Sequence, residues 1–179
     1  LRGWRLLDAD SGASLADVAP FETMKLRMLN GSHSTLAYLG YLGGYETIAE
    51  TVADPAYERL ARDLMTLDMM PTLAGIPDLP AYRDALMDRF ANPELRHRTW
   101  QIAMDGSQKL PQRLLATIQD RLRLGLSIDT HALAVAGWMR YVTASDEQGR
   151  AIDVRDPLAK ELFGIAERAG PIAERLTPA

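Results

Sequence analysis

An amine, an amide and an imidazole stand close together in "KLRMLNGSHS", at Lys25, Asn30 and His33. On an α-helix each residue turns about 100°, so the three fall within a sector of about 140° and converge on one small polar object. Lys25, Leu29 and His33 then form an i, i+4, i+8 stripe, with Asn30 beside His33 at i+3. A partly desolvated lysine, its pKa brought down from about 10.4, is a general base near neutral pH. An asparagine amide donates to a developing alkoxide, and a neutral imidazole orients a hydroxyl or carbonyl oxygen. The set suits removal of a proton from a secondary alcohol whose oxygen is held in place, and it requires no metal. Spacing alone leaves a plainer alternative open: a solvated lysine covering apolar surface with its stem, an Asn-Gly helix end and a satisfied histidine.

These residues need a helix to carry them, and the sequence expects little else. Ala, Leu, Met, Arg and Glu dominate, and alternating strand patterns are absent. Pro20 suits the first position of a long helix that runs to "GYLGG" at 40–44. "ETIAETVA" follows as a short helix, and Asp54-Pro55 opens another through "AYERLARDLMTLDMM". "PTLAGIPDLP" at 71–80 is a loop; helices are expected at 80–91, 93–104, 111–124, 129–144, 156–169 and 171–177, with a short hairpin around 145–154. The expected fold is all-α: one compact domain of about nine helices over residues 1–179.

Composition narrows the partners. Hydrophobic residues make up 47%, enough for a sizeable core, and the net charge of −4 disfavours nucleic acid and anionic membranes. "RHR" at 96–98 and "RLR" at 121–123 are short and read as solvated helix faces. No cysteine is present, so there is no disulfide or thiolate site, consistent with a cytoplasmic setting. No apolar run approaches the roughly 18 residues of a membrane span. "LRGWRLLDAD" has no signal-peptide core, and the chain does not open on Met, so it is expected to lie within a longer chain or to be processed.

Other residues read as structural. His97 and His131 sit on separate helices without partners at ligand spacing, so no zinc site is expected. Trp100, Trp138 and the methionines of "LMTLDMM" read as packing groups. Ser32 and Ser34 lack the base and orienter of a nucleophile, and Asp129 reads as a helix N-cap.

The segment "VAPFETMKLRMLNGSHSTLAYLGYLGG" at 18–44, with its Lys, Asn and His order, resembles the catalytic helix of the long-chain mannitol dehydrogenase family. Three further blocks are similar to that family in the same order: "IAMDGSQKLPQRLL" at 102–115, "HALAVAGWMRYV" at 131–142 and "DEQGRAIDVRDPLA" at 146–159. The family comprises polyol 2-dehydrogenases and hexuronate reductases, each with a Rossmann domain for NAD(P) and a C-terminal helical domain. The resemblance implies that this chain is the C-terminal domain, inactive alone, and that its partner is its own N-terminal Rossmann domain. It implies Lys25 as base, Asn30 as half of an oxyanion hole completed from the other domain, and His33 as a substrate hydrogen-bonding group. It also implies that Lys109 and Arg113 bind the distal part of the substrate; without it, Asp105 or Ser107 caps this helix start and the two basic groups are solvated. The expected cofactor is NAD, with NADP as the alternative, and no metal. Mannitol and fructose are the expected substrate pair, mannonate and fructuronate the alternative; a non-catalytic helical interaction domain is the reading from another class.

Overall fold

The computed structural model describes residues 15–146 and 148–169. The chain opens as one helical rod: α1 (Leu15–Met24), a π-helical segment π1 (Lys25–Gly31) and α2 (Ser32–Leu42). Met24 and Gly31 both keep right-handed helical dihedrals, so the joins are unbroken. Two expectations are corrected here. The helix begins at Leu15 and carries Pro20 inside it, where Pro20 is exposed and its missing N–H removes one helix hydrogen bond. The stretch Lys25–Gly31 is π-helical rather than α-helical, so its turns close at i+5 and one extra residue enters the turn.

α2 is the central helix. Ser32, Ser34, Thr35, Leu36, Ala37, Tyr38 and Gly40 are all buried, and it packs against α6 (Thr99–Ala103) and α9 (Asp129–Tyr141). A helix buried on most sides must satisfy its own polar groups. The Thr35 hydroxyl donates to the Gly31 carbonyl at 2.9 Å, and the Tyr38 hydroxyl reaches Ala103 O at 3.0 Å. Gly40 lies inside the helix rather than ending it, and Thr51 packs where its Cβ would be.

Thr47 and Glu50 form a capping box at the start of α3 (Ile48–Ala53). Asp54 then caps α4 (Pro55–Asp63), accepting from Ala56 N–H. α4 runs on into a second π-segment, π2 (Leu64–Met69). Met65 and Met69 are fully buried, as core methionines should be. α5 (Leu79–Phe90) follows the proline-rich loop.

The helix expected over 93–104 breaks into a 3₁₀ turn, Pro93–Leu95, and the short α6. Arg96 takes a left-handed φ of 45°. The next residues instead bond outward: Ile48 N–H to His97 O at 2.9 Å, and Thr99 N–H to Glu46 O at 3.0 Å. A segment that gives its backbone groups to a neighbour cannot also close helical turns.

A second rod runs through α7 (Gly106–Leu110), π3 (Pro111–Leu115) and α8 (Ala116–Arg123). It starts earlier than the expected residue 111, after Asp105 turns the chain with φ 56°. Neither Asp105 nor Ser107 caps it. Asp156, 49 residues on, accepts the Ser107 N–H at 2.8 Å and the Ser107 hydroxyl at 2.6 Å. Asp129 is the first residue of α9 rather than its cap; the Ser127 hydroxyl meets its N–H at 3.2 Å. The expected hairpin is a single antiparallel bridge, Ser145 to Ala151, and α10 (Ala159–Ala169) closes the described chain. The expected helix at 171–177 lies outside the described residues.

Two largely buried charge groups tie these helical runs together. Arg27 on π1 pairs with Asp120 on α8 at 2.5 Å and donates to Thr72 O at 3.2 Å. Asp68 on π2 holds Arg121 at 3.2 Å and His131 Nδ1 at 3.0 Å, and Arg121 also donates to Leu67 O and Asp68 O at 2.8 Å. Among the described residues no helix is long and apolar enough to cross a membrane.

Candidate active site

Lys25 and Asn30 are the first and sixth residues of π1. A π-turn bonds residue i to i+5, so two residues five apart stand nearly one above the other. On an α-helix they are about 140° apart. The extra residue therefore brings positions 25 and 30 toward one face of the helix, and the stripe Lys25–Leu29–His33 expected from α-helical spacing is corrected. Lys25 is exposed and Asn30 half-buried, while Leu29 packs against the core.

His33 lies in the first turn of α2, three residues beyond Asn30. Its ring stacks on Phe90 at 5.4 Å between centroids and meets His97 at 5.1 Å, tilted by 55°. Its Nε2 is buried without a hydrogen-bond partner among the described residues. Burial holds the His33 pKa down at about 3, reinforced by His97, Arg113, Arg89 and Lys109. The imidazole is neutral at pH 7, with one nitrogen free to orient a ligand oxygen.

The two expected distal residues lie near enough to act on this ring electrostatically. Arg113 on π3 donates from Nη1 to the Ser34 hydroxyl at 3.0 Å, and its Nε is buried without a partner. Burial lowers the Arg113 pKa from its ordinary value. Lys109 on α7 donates to Met104 O at 2.6 Å and stands 3.7 Å from the Asp105 carboxylate. Gly31 brings π1 against π3: a Cβ there would stand 2.8 Å from Arg113 O and 2.9 Å from Met69 Cε on π2. All three π-segments thus meet at one residue.

Sequence reasoning missed His97, Phe90 and Arg89. His97 was set aside for want of a partner, yet it touches His33 across 64 residues of chain. No periodic signal marks such a contact, because it depends on the bridge that holds 96–98 beside Thr47. His131 is a structural partner of Asp68. Ser32 is buried with its hydroxyl 3.8 Å from the Met69 sulfur, and Ser34 accepts from Arg113. Among the described residues no three His, Asp or Glu side chains gather as a metal site. A separate cleft of about 430 Å³, lined by Tyr41, Tyr45, Arg98 and Trp100, lies at the other end of α2 and holds none of Lys25, Asn30, His33, Lys109 and Arg113.

Residues 17–171 match the sequence model of the family described as mannitol dehydrogenase C-terminal domain. The D-mannonate oxidoreductase of Escherichia coli K12 is 64% identical over 154 residues, covering 84% of this chain and 32% of that protein. The mannitol 2-dehydrogenase of Phaeosphaeria nodorum is 38% identical over 147 residues, 81% of this chain and 26% of that protein. The structure of Pseudomonas fluorescens mannitol 2-dehydrogenase in ternary complex with NAD and D-mannitol superimposes with a TM-score of 0.83 at 38% identity, over 89% of this chain and 33% of that one. The chain thus spans about a third of the length of the curated relatives it matches.

Proposed function

This chain belongs to the mannitol dehydrogenase family as a C-terminal domain, and from that premise we propose that it is the substrate-binding half of an NAD-dependent secondary-alcohol dehydrogenase. The substrate is D-mannonate, oxidised to the keto acid fructuronate and re-formed in reduction. The observation that carries the reading is the π-helical segment with Lys25 and Asn30 at its first and sixth positions, directly before the helix that carries His33. The greater identity to the D-mannonate oxidoreductase than to the mannitol 2-dehydrogenase supports the acid over the polyol.

Lys25 Nζ takes the proton of the reacting hydroxyl and returns it when the ketone is reduced. The Asn30 amide donates to the oxygen as negative charge develops on it. The neutral His33 Nε2, without a protein partner among the described residues, bonds a neighbouring substrate oxygen. Arg113 and Lys109 hold the distal oxygens. The described residues contain no named strand and no glycine-rich strand-to-helix turn, so they do not fit a dinucleotide cradle. We assign NAD binding to an N-terminal domain, in the part of the relatives' length that this chain does not span. NAD supplies the hydride acceptor when bound there, and closure of that domain provides the desolvation that Lys25 lacks here.

Mannitol and fructose are the second reading, favoured by the likeness to mannitol 2-dehydrogenase. The burial of His33 between Phe90 and His97 favours either over a non-catalytic interaction domain, whose polar groups would point separately into solvent. The test follows NADH absorbance in the full-length protein with D-mannonate and with D-mannitol, in wild type and Lys25→Ala. Turnover of mannonate that is lost in the variant supports the proposal. Preference for mannitol promotes the second reading, and turnover unaffected by Lys25→Ala removes the lysine from its role.

A further inference from the structure

We propose that His97 and Arg89, acting with Arg113, form the carboxylate-recognition end of the substrate site. The inference rests on the dehydrogenase reading above and adds where the acid group of the substrate sits. Its basis is a side-chain cluster drawn from four separate parts of the chain: α2, α5, the segment 96–98 and π3. The His33 ring is flanked by Phe90 and His97 at 5.4 and 5.1 Å, while Arg113 is bonded to the adjacent Ser34. Arg89 precedes Phe90 in the last turn of α5, so the contact that seats Phe90 against His33 also fixes where Arg89 begins. His97 is held from behind, its carbonyl accepting the Ile48 N–H at 2.9 Å.

Two features point to an anion. Arg113 Nε is buried without a hydrogen-bond partner among the described residues, whereas the equally unpartnered His33 Nε2 is taken by the oxygen beside the reacting hydroxyl. A buried donor of this kind is costly unless a ligand meets it. The charges around the rings are also one-sided. Arg89 on α5, Lys109 on α7 and Arg113 on π3 all act on His33, and Arg89 acts on His97 as well. Only Lys109 has a carboxylate beside it, Asp105 at 3.7 Å; no ion-pair partner of Arg89 or Arg113 occurs among the described residues. A neutral hydroxymethyl group leaves that positive field uncompensated, whereas a carboxylate offsets it and accepts guanidinium and imidazole N–H groups together.

The test uses the full-length enzyme with NAD, D-mannonate and D-mannitol, comparing wild type with Arg89→Gln and His97→Asn. Arg89 is exposed, so its variant keeps the fold, and thermal melting checks both. The expected result is a KM for D-mannonate raised roughly tenfold to a hundredfold, with kcat changed far less and the preference for mannonate over mannitol reduced to match. Loss of kcat at constant KM, an equal loss on both substrates, or no change in either variant overturns the assignment and leaves the dehydrogenase reading standing. A wild type that oxidises mannitol but not mannonate overturns it also. A wild type that oxidises neither sinks the dehydrogenase reading, and this inference with it.

Discussion

Gly31 and Arg113 touch through backbone: a Cβ built on Gly31 stands 2.8 Å from the Arg113 carbonyl oxygen. The contact presses the segment that carries Lys25 and Asn30 against the segment that carries Arg113. Gly31→Ala forces the two apart, since a carbonyl cannot swing away as a side chain end does. The expected cost is about 1–3 kcal/mol of stability, typical of overpacking. Chemical denaturation reads it, and an unchanged midpoint would show that the rods slide freely.

Asn30→Ala in the full-length enzyme should lower kcat by about 10²–10³, the usual cost of one oxyanion donor. The Asn30 side chain makes no hydrogen bond among those of the described residues, so melting should stay near wild type. A raised KM at constant kcat would instead make Asn30 an ordinary substrate contact.

Acid should weaken the folded chain from about pH 6.5 downward. His33 is held at about 3 against an ordinary 6.5, chiefly by burial, with His97, Arg113, Arg89 and Lys109 facing it. Above pH 6.5 both folded and unfolded states carry it neutral, and its full contribution is present. Below that, the unfolded chain takes up a proton and the folded chain does not, so stability falls by up to about 1.4 kcal/mol per pH unit. His97 and His131 are also lowered by burial and act in the same direction. Asp120, held below the usual carboxylate range by Arg27, loses its contribution only at lower pH. Denaturation at pH 7.5 and 5.5 measures the slope. His33→Gln should flatten it, and an equally steep variant would assign the effect elsewhere.

Asp68→Asn should be among the most damaging single changes. It strands Arg121, whose side chain is 5% exposed, and releases His131, which is fully buried. Breaking a buried pair by removing one partner costs about 3–5 kcal/mol. Urea unfolding checks this, and a loss below 1 kcal/mol would mean water reaches Arg121 in the variant.

Asp156→Ala removes the group that holds the start of α7 through Ser107. A lost cap costs about 1–2 kcal/mol. Lys109 sits two residues beyond Ser107 on the same short helix, so the KM of the full-length enzyme should rise as well. Stability lost without any change in KM would separate the cap from the site.

Helix-forming composition was enough to read an all-α fold, and the segment at 18–44 together with the blocks at 102–115, 131–142 and 146–159 was enough to read the family. Both are local: propensity and short spacing survive without knowing what packs on what. The turn geometry between Lys25 and Asn30 was not legible, because α and π turns use the same residues and differ by one residue of register that packing at Gly31 accompanies. His97 was unreadable for the same kind of reason. It reaches His33 only because a backbone bridge to Thr47 breaks the helix expected over 93–104. The sequence by itself determined the helical class and the identity of the candidate site residues; the tertiary structure decided their turn geometry and which cations lie near them, since contacts between residues more than fifty positions apart follow from packing that no local pattern encodes.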